Sequence, residues 1–161
     1  MADASASTLI FRTAERRDVP EIVRLIADDA LANGGDSYGE PLAQDYWDAF
    51  DRMAAQPGNR IVLAEQDGRL IGCFQFTVVH GLSRRGAARA TIESVKVASD
   101  QRGQGIGSAM MRHAIELART EGCALVQLTT QTRRADAHRL YERLGFQATH
   151  LGMKLALPRD E

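Results

Sequence analysis

The spacing of apolar positions changes repeatedly along this chain, and the changes mark out its elements. Thr8 to Thr13 (TLIFRT) reads as a first strand. Asp18 then offers an N-cap, with Glu21 in the capping-box position and Pro20 tolerated in the first turn. Ile22, Val23, Ile26, Ala27 and Ala30 give a helical stripe that Asn33, Gly34 and Gly35 end. A second helix, Gln44 to Ala55, presents Trp47, Phe50, Met53 and Ala54 and stops at Pro57-Gly58. Two β-rich runs, Arg60 to Glu65 and Leu70 to Val79, flank Gln66-Asp67-Gly68-Arg69, and Asp-Gly is a strong tight-turn dipeptide. The basic loop GLSRRG (81–86) leads to a long strand over 88–97. The clearest helix is 106–118, where Ile106, Ala109, Met110, His113, Ala114 and Leu117 share a face, closed by Gly122. A short strand over 124–130 precedes a last helix, about 135–144, with Gly145 at C′. Phe146 to His150 and Met153 to Leu157 read as two final strands. The order βααβββαβαββ predicts an α+β fold, a mixed and mostly antiparallel sheet flanked by helices.

Composition narrows this further. A chain of 161 residues favours one domain over 1–161, with 1–7 as a flexible leader. Size scaling predicts that folding buries about 69% of the unfolded surface, enough for a core without staples. No run approaches the length of a membrane span, and MADASAST lacks an apolar signal core, so a cytoplasmic protein without membrane partners is expected. Cys73 and Cys123 lie fifty residues apart in apolar runs and read as buried thiols. No His, Cys or carboxylate spacing suggests a metal site. The net charge of −1 conceals a split: residues 1–83 carry 7 basic and 13 acidic side chains, residues 84–139 carry 10 and 5. One half suits a cation and the other an anion, although such a split also arises on solvated surfaces. The basic residues are too few and dispersed for nucleic-acid binding.

The most informative stretch is Arg102-Gly103-Gln104-Gly105-Ile106-Gly107-Ser108, between the long strand and the clearest helix. A helix N-terminus has unpaired N–H groups and a partial positive charge, and alternate glycines let its backbone approach an anion. A Walker A loop is excluded because no lysine follows the glycines, and a Rossmann fingerprint because position 108 is Ser108.

The R-x-x-G-x-G pattern that remains resembles the acetyl-CoA signature of the GCN5-related N-acetyltransferase superfamily. The resemblance is most specific from Thr91 to Phe146, through IESVKVASDQRGQGIG and DAHRLYERLGF. IES resembles a strand of glucosamine-phosphate acetyltransferases, and RADAHRLY a helix of aminoalkylphosphonate acetyltransferases. The resemblance implies acetyl-CoA as co-substrate, with its diphosphate on the N–H groups from Gly103 through Gln104, Gly105, Ile106 and Gly107 to Ser108, and Arg102 adding charge. Val95 and Val97 would pair with the pantetheine amides. Tyr141 would protonate the departing thiolate; on its helix it also belongs to the apolar stripe. The asparagine found in many members seven residues before that tyrosine is Arg134 here, which with Arg133 reaches either a phosphate or solvent. His138 is a candidate cofactor contact, whereas His113 reads as a core histidine. Homodimers are common among similar enzymes, so a dimer is an expectation from resemblance.

The implied reaction is attack of an amine on a thioester. An alkylammonium with a pKa near ~10.4 is neutral in only about one molecule in 2,500 at pH 7. A carboxylate near the acceptor removes that obstacle. Glu93 is the only acid in the strand 88–97, and simple alternation places it on one face with Thr91, Val95 and Val97. Pairing with Arg89 or Lys96 is the competing role. Residues 18–57 hold nine acids, and the loop NGGDSYGEPL offers Asp36 and Tyr38 as substrate contacts. These favour a cationic small-molecule amine; Arg84, Arg85 and Arg89 instead suit a phosphate-bearing one. Acetylation of a protein lysine or N-terminus, and a non-catalytic acyl-CoA sensor, are the alternatives.

Overall fold

The computed structural model describes residues 8–28 and 35–158. The leader, Asp29, Ala30, Asn33 and Gly34 lie outside the described residues. The chain forms two compact units, residues 1–128 and 129–161.

The first unit is built on a five-stranded sheet in the order β1-β2-β3-β4-β5. Strand β1 (Ile10–Thr13) is followed by helices α1 (Val19–Ala27) and α2 (Gln44–Ala54). The hairpin β2 (Asn59–Gln66) and β3 (Arg69–Val79) comes next, then β4 (Arg89–Val97), α3 (Ile106–Thr120) and β5 (Leu125–Leu128). The first three pairings are antiparallel, and β4 with β5 is parallel. The hairpin turn is the predicted one: Gln66 faces Arg69, and Asp67 and Gly68 have φ of 52° and 76°. Two positive values in a two-residue loop match the right-handed twist of the strands it joins.

Helices α1 and α2 cover one face of the sheet. Leu63 and Cys73 pack there with Ala14 and Ile22, with Leu25, Ile26, Phe50 and Ile61 against them. Burial pushes the Cys73 thiol up to about 12, so it is an inert core group, while Cys123 is only half-buried. Helix α3 covers the other face. Its Met110 and Met111 are fully buried, and His113 stacks on Phe11 at 4.2 Å. At its end Gly122 N–H donates to the Arg119 carbonyl and Cys123 N–H to Ala118, the paired bonds of a Schellman cap.

The start of α1 differs from the expected capping box. The Asp18 carboxylate makes no cap bond; it accepts from Arg12 at 2.7 and 2.9 Å and from the Glu15 N–H at 2.7 Å. Arg12 also reaches Glu65 at 2.6 Å. A two-toothed guanidinium outcompetes a single backbone N–H for the carboxylate. Glu21 pairs with Arg24 instead.

The second unit contains α4 (Ala135–Arg143), ended as expected by Gly145 with φ 92°. Gly145 and Phe146 N–H groups donate to the Glu142 and Tyr141 carbonyls. The two terminal strands are not formed: Phe146 to Leu157 carries no regular structure. Alternation specifies a face, but a strand also needs a partner edge. Here a local bond from Thr149 N–H to the Gln147 carbonyl bends the chain, and Leu151, Met153, Leu155 and Leu157 are exposed.

Candidate active site

Strand β4 passes through a bulge at its centre. Gln75 faces Glu93 and Cys73 faces Lys96, so Phe74 alone opposes both Ser94 and Val95. Ser94 adopts φ of +50°, a left-handed conformation that costs an L-residue roughly 1–2 kcal/mol. The extra residue changes the parity of the strand. Glu93 keeps the face of Thr91, as expected, but beyond the bulge that face passes to Lys96. Val97 now stands opposite Gly72, on the α3 side. The expected grouping of Glu93 with Val95 and Val97 by plain alternation is therefore wrong, because alternation does not survive an inserted residue. Glu93 itself is exposed, and Lys96 on the same face is held in an interaction.

The bulge also ends the parallel ladder. Strand β5 follows β4 from Arg89 to Ile92 and stops at Leu128. From Glu93 to Val97, β4 is paired with β3 but has no ladder with β5. Beyond Ile92 that edge of its backbone carries no ladder, the condition under which an extended, amide-bearing ligand can add as a strand. Continuing from that edge, the chain makes a 3-10 turn over Ser99–Gln101 and enters the glycine turn.

Gly103 and Gly105 have φ of 76° and 81°, which glycine adopts without strain, and no atom lies within 4 Å of where their side chains would start. Gly105 caps α3. The first intrahelical bond runs from Ala109 N–H to the Gly105 carbonyl at 3.0 Å, so the N–H groups of Ile106, Gly107 and Ser108 precede it. No acid occupies that first turn. The turn thus combines donors that have no partner among the described residues with the positive end of a 15-residue helix. Arg102 folds back, its Nε donating to the Val97 carbonyl at 3.3 Å, and Gln104 donates to the Asp100 carbonyl. Both side chains tie the turn to the backbone that precedes it.

Tyr141, His138 and Arg134 belong to the second unit. Tyr141 is half-buried, its ring edge-on to Phe146 at 5.8 Å, and its hydroxyl has no hydrogen bond among the described residues. Burial raises its phenol above the ordinary value, with Arg134 pulling weakly the other way. His138 Nε2 lies 3.0 Å from the Gln131 carbonyl, and Arg134 caps α4.

The acceptor candidates are engaged locally. The Arg24 guanidinium lies over the Tyr38 ring at 4.4 Å and donates to its hydroxyl at 2.7 Å, and that hydroxyl donates to Glu40. Asp36 accepts from Tyr46. Several acids of the 18–57 segment are likewise neutralised: Asp18 by Arg12, Glu21 by Arg24 and Asp51 by Arg16. These three carboxylates are paired rather than free. A cavity of about 680 Å³ between α1, the hairpin turn and the end of β4 is lined by Arg12, Glu65, Arg69 and Asp100, already bonded to one another or to Asp18. Arg84 and Arg85 lie in the β3–β4 turn with φ of 55° and 60°. No cluster of three or more metal-ligating side chains occurs among the described residues, and none of their helices is long and apolar enough to cross a membrane.

Plain alternation gave no sign of Ser94. It also left unnoticed a row of polar side chains beside Glu93, in which Asn59 faces Thr77, Thr77 faces Thr91, and Thr91 faces Gln127. The signal was present in CFQFTVV, where Gln75 and Thr77 interrupt an apolar strand at period two.

The bulged strand β4 thus leads through a glycine turn into a glycine-capped helix, the arrangement that the signature at 102–108 implied. The acetyltransferase (GNAT) family model matches residues 21–146, and the chain belongs to that family. It is 32% identical over 114 residues to aminoalkylphosphonate N-acetyltransferase from Salmonella typhimurium, covering 71% of this chain and 73% of that protein. It is 31% identical over 98 residues to glucosamine 6-phosphate N-acetyltransferase from Trypanosoma brucei brucei, covering 61% and 65%. Among solved structures, a transcriptional regulator from Bacillus halodurans C-125 superimposes with a TM-score of 0.89 at 39% identity, over 93% of this chain and 100% of that one.

Proposed function

We propose that the chain transfers an acetyl group from acetyl-CoA to the primary amine of a small molecule, by direct attack on the thioester, with both units acting as one acetyltransferase domain. The observation that carries this reading is the open edge of β4 beyond Ile92, continuous with the glycine turn. An extended pantetheine arm would take Val95 and Val97 as its strand partners, and its diphosphate would lie on the N–H groups of Ile106, Gly107 and Ser108. The family match over 21–146 runs through both units.

Glu93 would act as general base. Supplying a neutral amine at pH 7 costs about 4.6 kcal/mol for a pKa near ~10.4, at about 1.36 kcal/mol per unit. An exposed carboxylate is available for that proton, directly or through one water. The amine nitrogen attacks the thioester carbon, and the carbonyl oxygen gains charge near the Val95 N–H. Collapse breaks the carbon–sulfur bond, and Tyr141 would deliver a proton to the thiolate. Burial supports this role, since it keeps the phenol protonated. The relatives named for aminoalkylphosphonate and glucosamine 6-phosphate support a small-molecule acceptor over a protein one.

The likeness to a transcriptional regulator favours one other reading, a sensor that binds acyl-CoA without turning it over. Free-thiol release from acetyl-CoA with an amine panel separates the two. Amine-dependent release supports transfer; thermal stabilisation by CoA with no release for any amine supports the sensor.

A further inference from the structure

The face of the sheet that carries Glu93 is apolar only where α1 and α2 cover it. Leu63 and Cys73 lie beneath the helices, and Ile61 packs against them. Beyond Ile61 the same face turns polar across four strands. Asn59 on β2, Thr77 on β3, Thr91 on β4 and Gln127 on β5 stand in one row, and Gln75 and Glu93 face each other in the next. Every group in this patch is half-buried or exposed.

The row is tied together by its own hydrogen bonds. Asn59 Oδ1 accepts from Gln75 Nε2 at 3.0 Å and from Thr77 Oγ1 at 3.2 Å, while Asn59 Nδ2 donates to Gln56 at 2.7 Å. Gln127 Nε2 donates to Thr91 Oγ1 at 3.2 Å. These bonds orient the carboxamides but do not exhaust them. Gln75 Oε1 and Gln127 Oε1 have no donor among the described residues, the Glu93 carboxylate is exposed, each carboxamide keeps a second N–H, and the Thr91 hydroxyl keeps a proton to give. With strands about 4.8 Å apart and about 3.4 Å of rise per residue, these four groups cover roughly 10 by 7 Å. That is the footprint of one six-membered ring with its substituents.

We infer that this row is the recognition surface for the acceptor, and that the acceptor is a hydroxylated amine of the amino-sugar or amino-alcohol kind. The inference rests on the proposed acetyl transfer and specifies its substrate class. Acceptors and donors set side by side suit hydroxyl groups, each of which gives one hydrogen bond and accepts another. The ammonium goes to Glu93, and the hydroxyls go to Gln75, Thr91 and Gln127. A plain alkylamine leaves three polar groups without partners, and each neutral hydrogen bond contributes about 1 kcal/mol. A polyamine finds only the single carboxylate of Glu93 in this patch.

The test compares glucosamine, hexylamine and spermidine as acceptors by thiol release, alongside calorimetric binding of each amine to the CoA-loaded protein. Thr91→Val and Gln127→Leu remove a hydroxyl and a carboxamide, and Thr91→Ser is the control that retains the hydroxyl. Glucosamine is expected to exceed hexylamine by about 10-fold or more in kcat/KM. Each of the two variants is expected to lower the glucosamine value by about 5- to 10-fold. CoA affinity should stay unchanged, hexylamine turnover should fall by much less than glucosamine turnover, and Thr91→Ser should behave as wild type. Hexylamine or spermidine matching glucosamine, or variants that depress all amines alike, would overturn the inference while leaving acetyl transfer standing. Thr91-dependent binding of glucosamine without thiol release would sink the transfer reading and keep the recognition surface. Neither binding nor release with any amine overturns both.

Discussion

Gly72 lies directly beneath Met110: a Cβ at position 72 would stand 2.6 Å from the Met110 sulfur and 2.9 Å from the Lys96 carbonyl oxygen. Strand β3 has no side chain here, so α3 settles onto the sheet beside the half of β4 that follows the bulge. The contact therefore helps fix where the helix N-terminus, and with it the glycine turn, is held.

Gly72→Ala should lower stability by about 2 kcal/mol, within the usual range for overpacking. Met110 can yield but the Lys96 carbonyl is backbone, so Met110→Ala should rescue only part of the loss. Denaturant unfolding of the two single variants and the double variant measures this coupling. CoA affinity should fall in Gly72→Ala as α3 is displaced.

The bulge can be tested at Ser94, whose φ of +50° suits glycine better than serine. Ser94→Gly should keep activity and raise stability by up to about 1 kcal/mol. Ser94→Val, with a β-branched side chain in a left-handed position, should lower both. Equal behaviour of the two would mean that the bulge has no part in the chemistry.

Much of this architecture was legible in the sequence, and the misses share a cause. The hairpin at Asp67-Gly68, the face of α3 and the glycine cap at Gly145 follow from local rules, and the structure reproduces them. Ser94 was missed because a period-two pattern is blind to an inserted residue. The final strands failed because pairing is non-local, and Thr149 found a nearer bond at Gln147. The Asp18 cap failed for a similar reason, since Arg12, brought close by β1, offers a charged partner that no local window reveals. For the site, the glycine turn could be read from its residues. Of the polar row only Gln75 and Thr77 left a mark in the sequence of their strand, because the row itself exists only once four strands are set in register.

Glu93→Gln should reduce kcat/KM by about 10²- to 10⁴-fold, the ordinary contribution of a general base. Without the carboxylate the reaction depends on amine already neutral in solution, so activity should climb with pH toward the amine's own pKa. A steady-state pH profile with unchanged shape would remove Glu93 from this role.

Tyr141→Phe should slow turnover with little loss of CoA affinity. Burial raises the phenol above its ordinary value, so the proton stays on throughout pH 6–9. No basic limb attributable to Tyr141 should then appear in kcat within that range. Full activity in Tyr141→Phe would return the ring to a packing role against Phe146.

Arg12 predicts a pH dependence of folding. Its hydrogen bonds hold the Asp18 carboxyl below the usual carboxylate range. The folded state then binds fewer protons at this group than the unfolded state. The stabilisation is complete above the unfolded pKa near ~3.9 and is lost as pH falls through the lower folded value. Asp18→Asn should flatten the acid limb of a Tm-against-pH curve, and Arg12→Met should cost about 2 kcal/mol at neutral pH by stranding Asp18 and Glu65.

The account turns on where the thioester cofactor lies, and backbone amide shifts in a ¹⁵N-labelled sample titrated with CoA report this residue by residue. The predicted result is large perturbation at Val95 and Val97 together with Ile106, Gly107 and Ser108, and strong weakening of binding in Gly105→Ala. Saturable binding that leaves these five amides unmoved, or no binding at all, would contradict it.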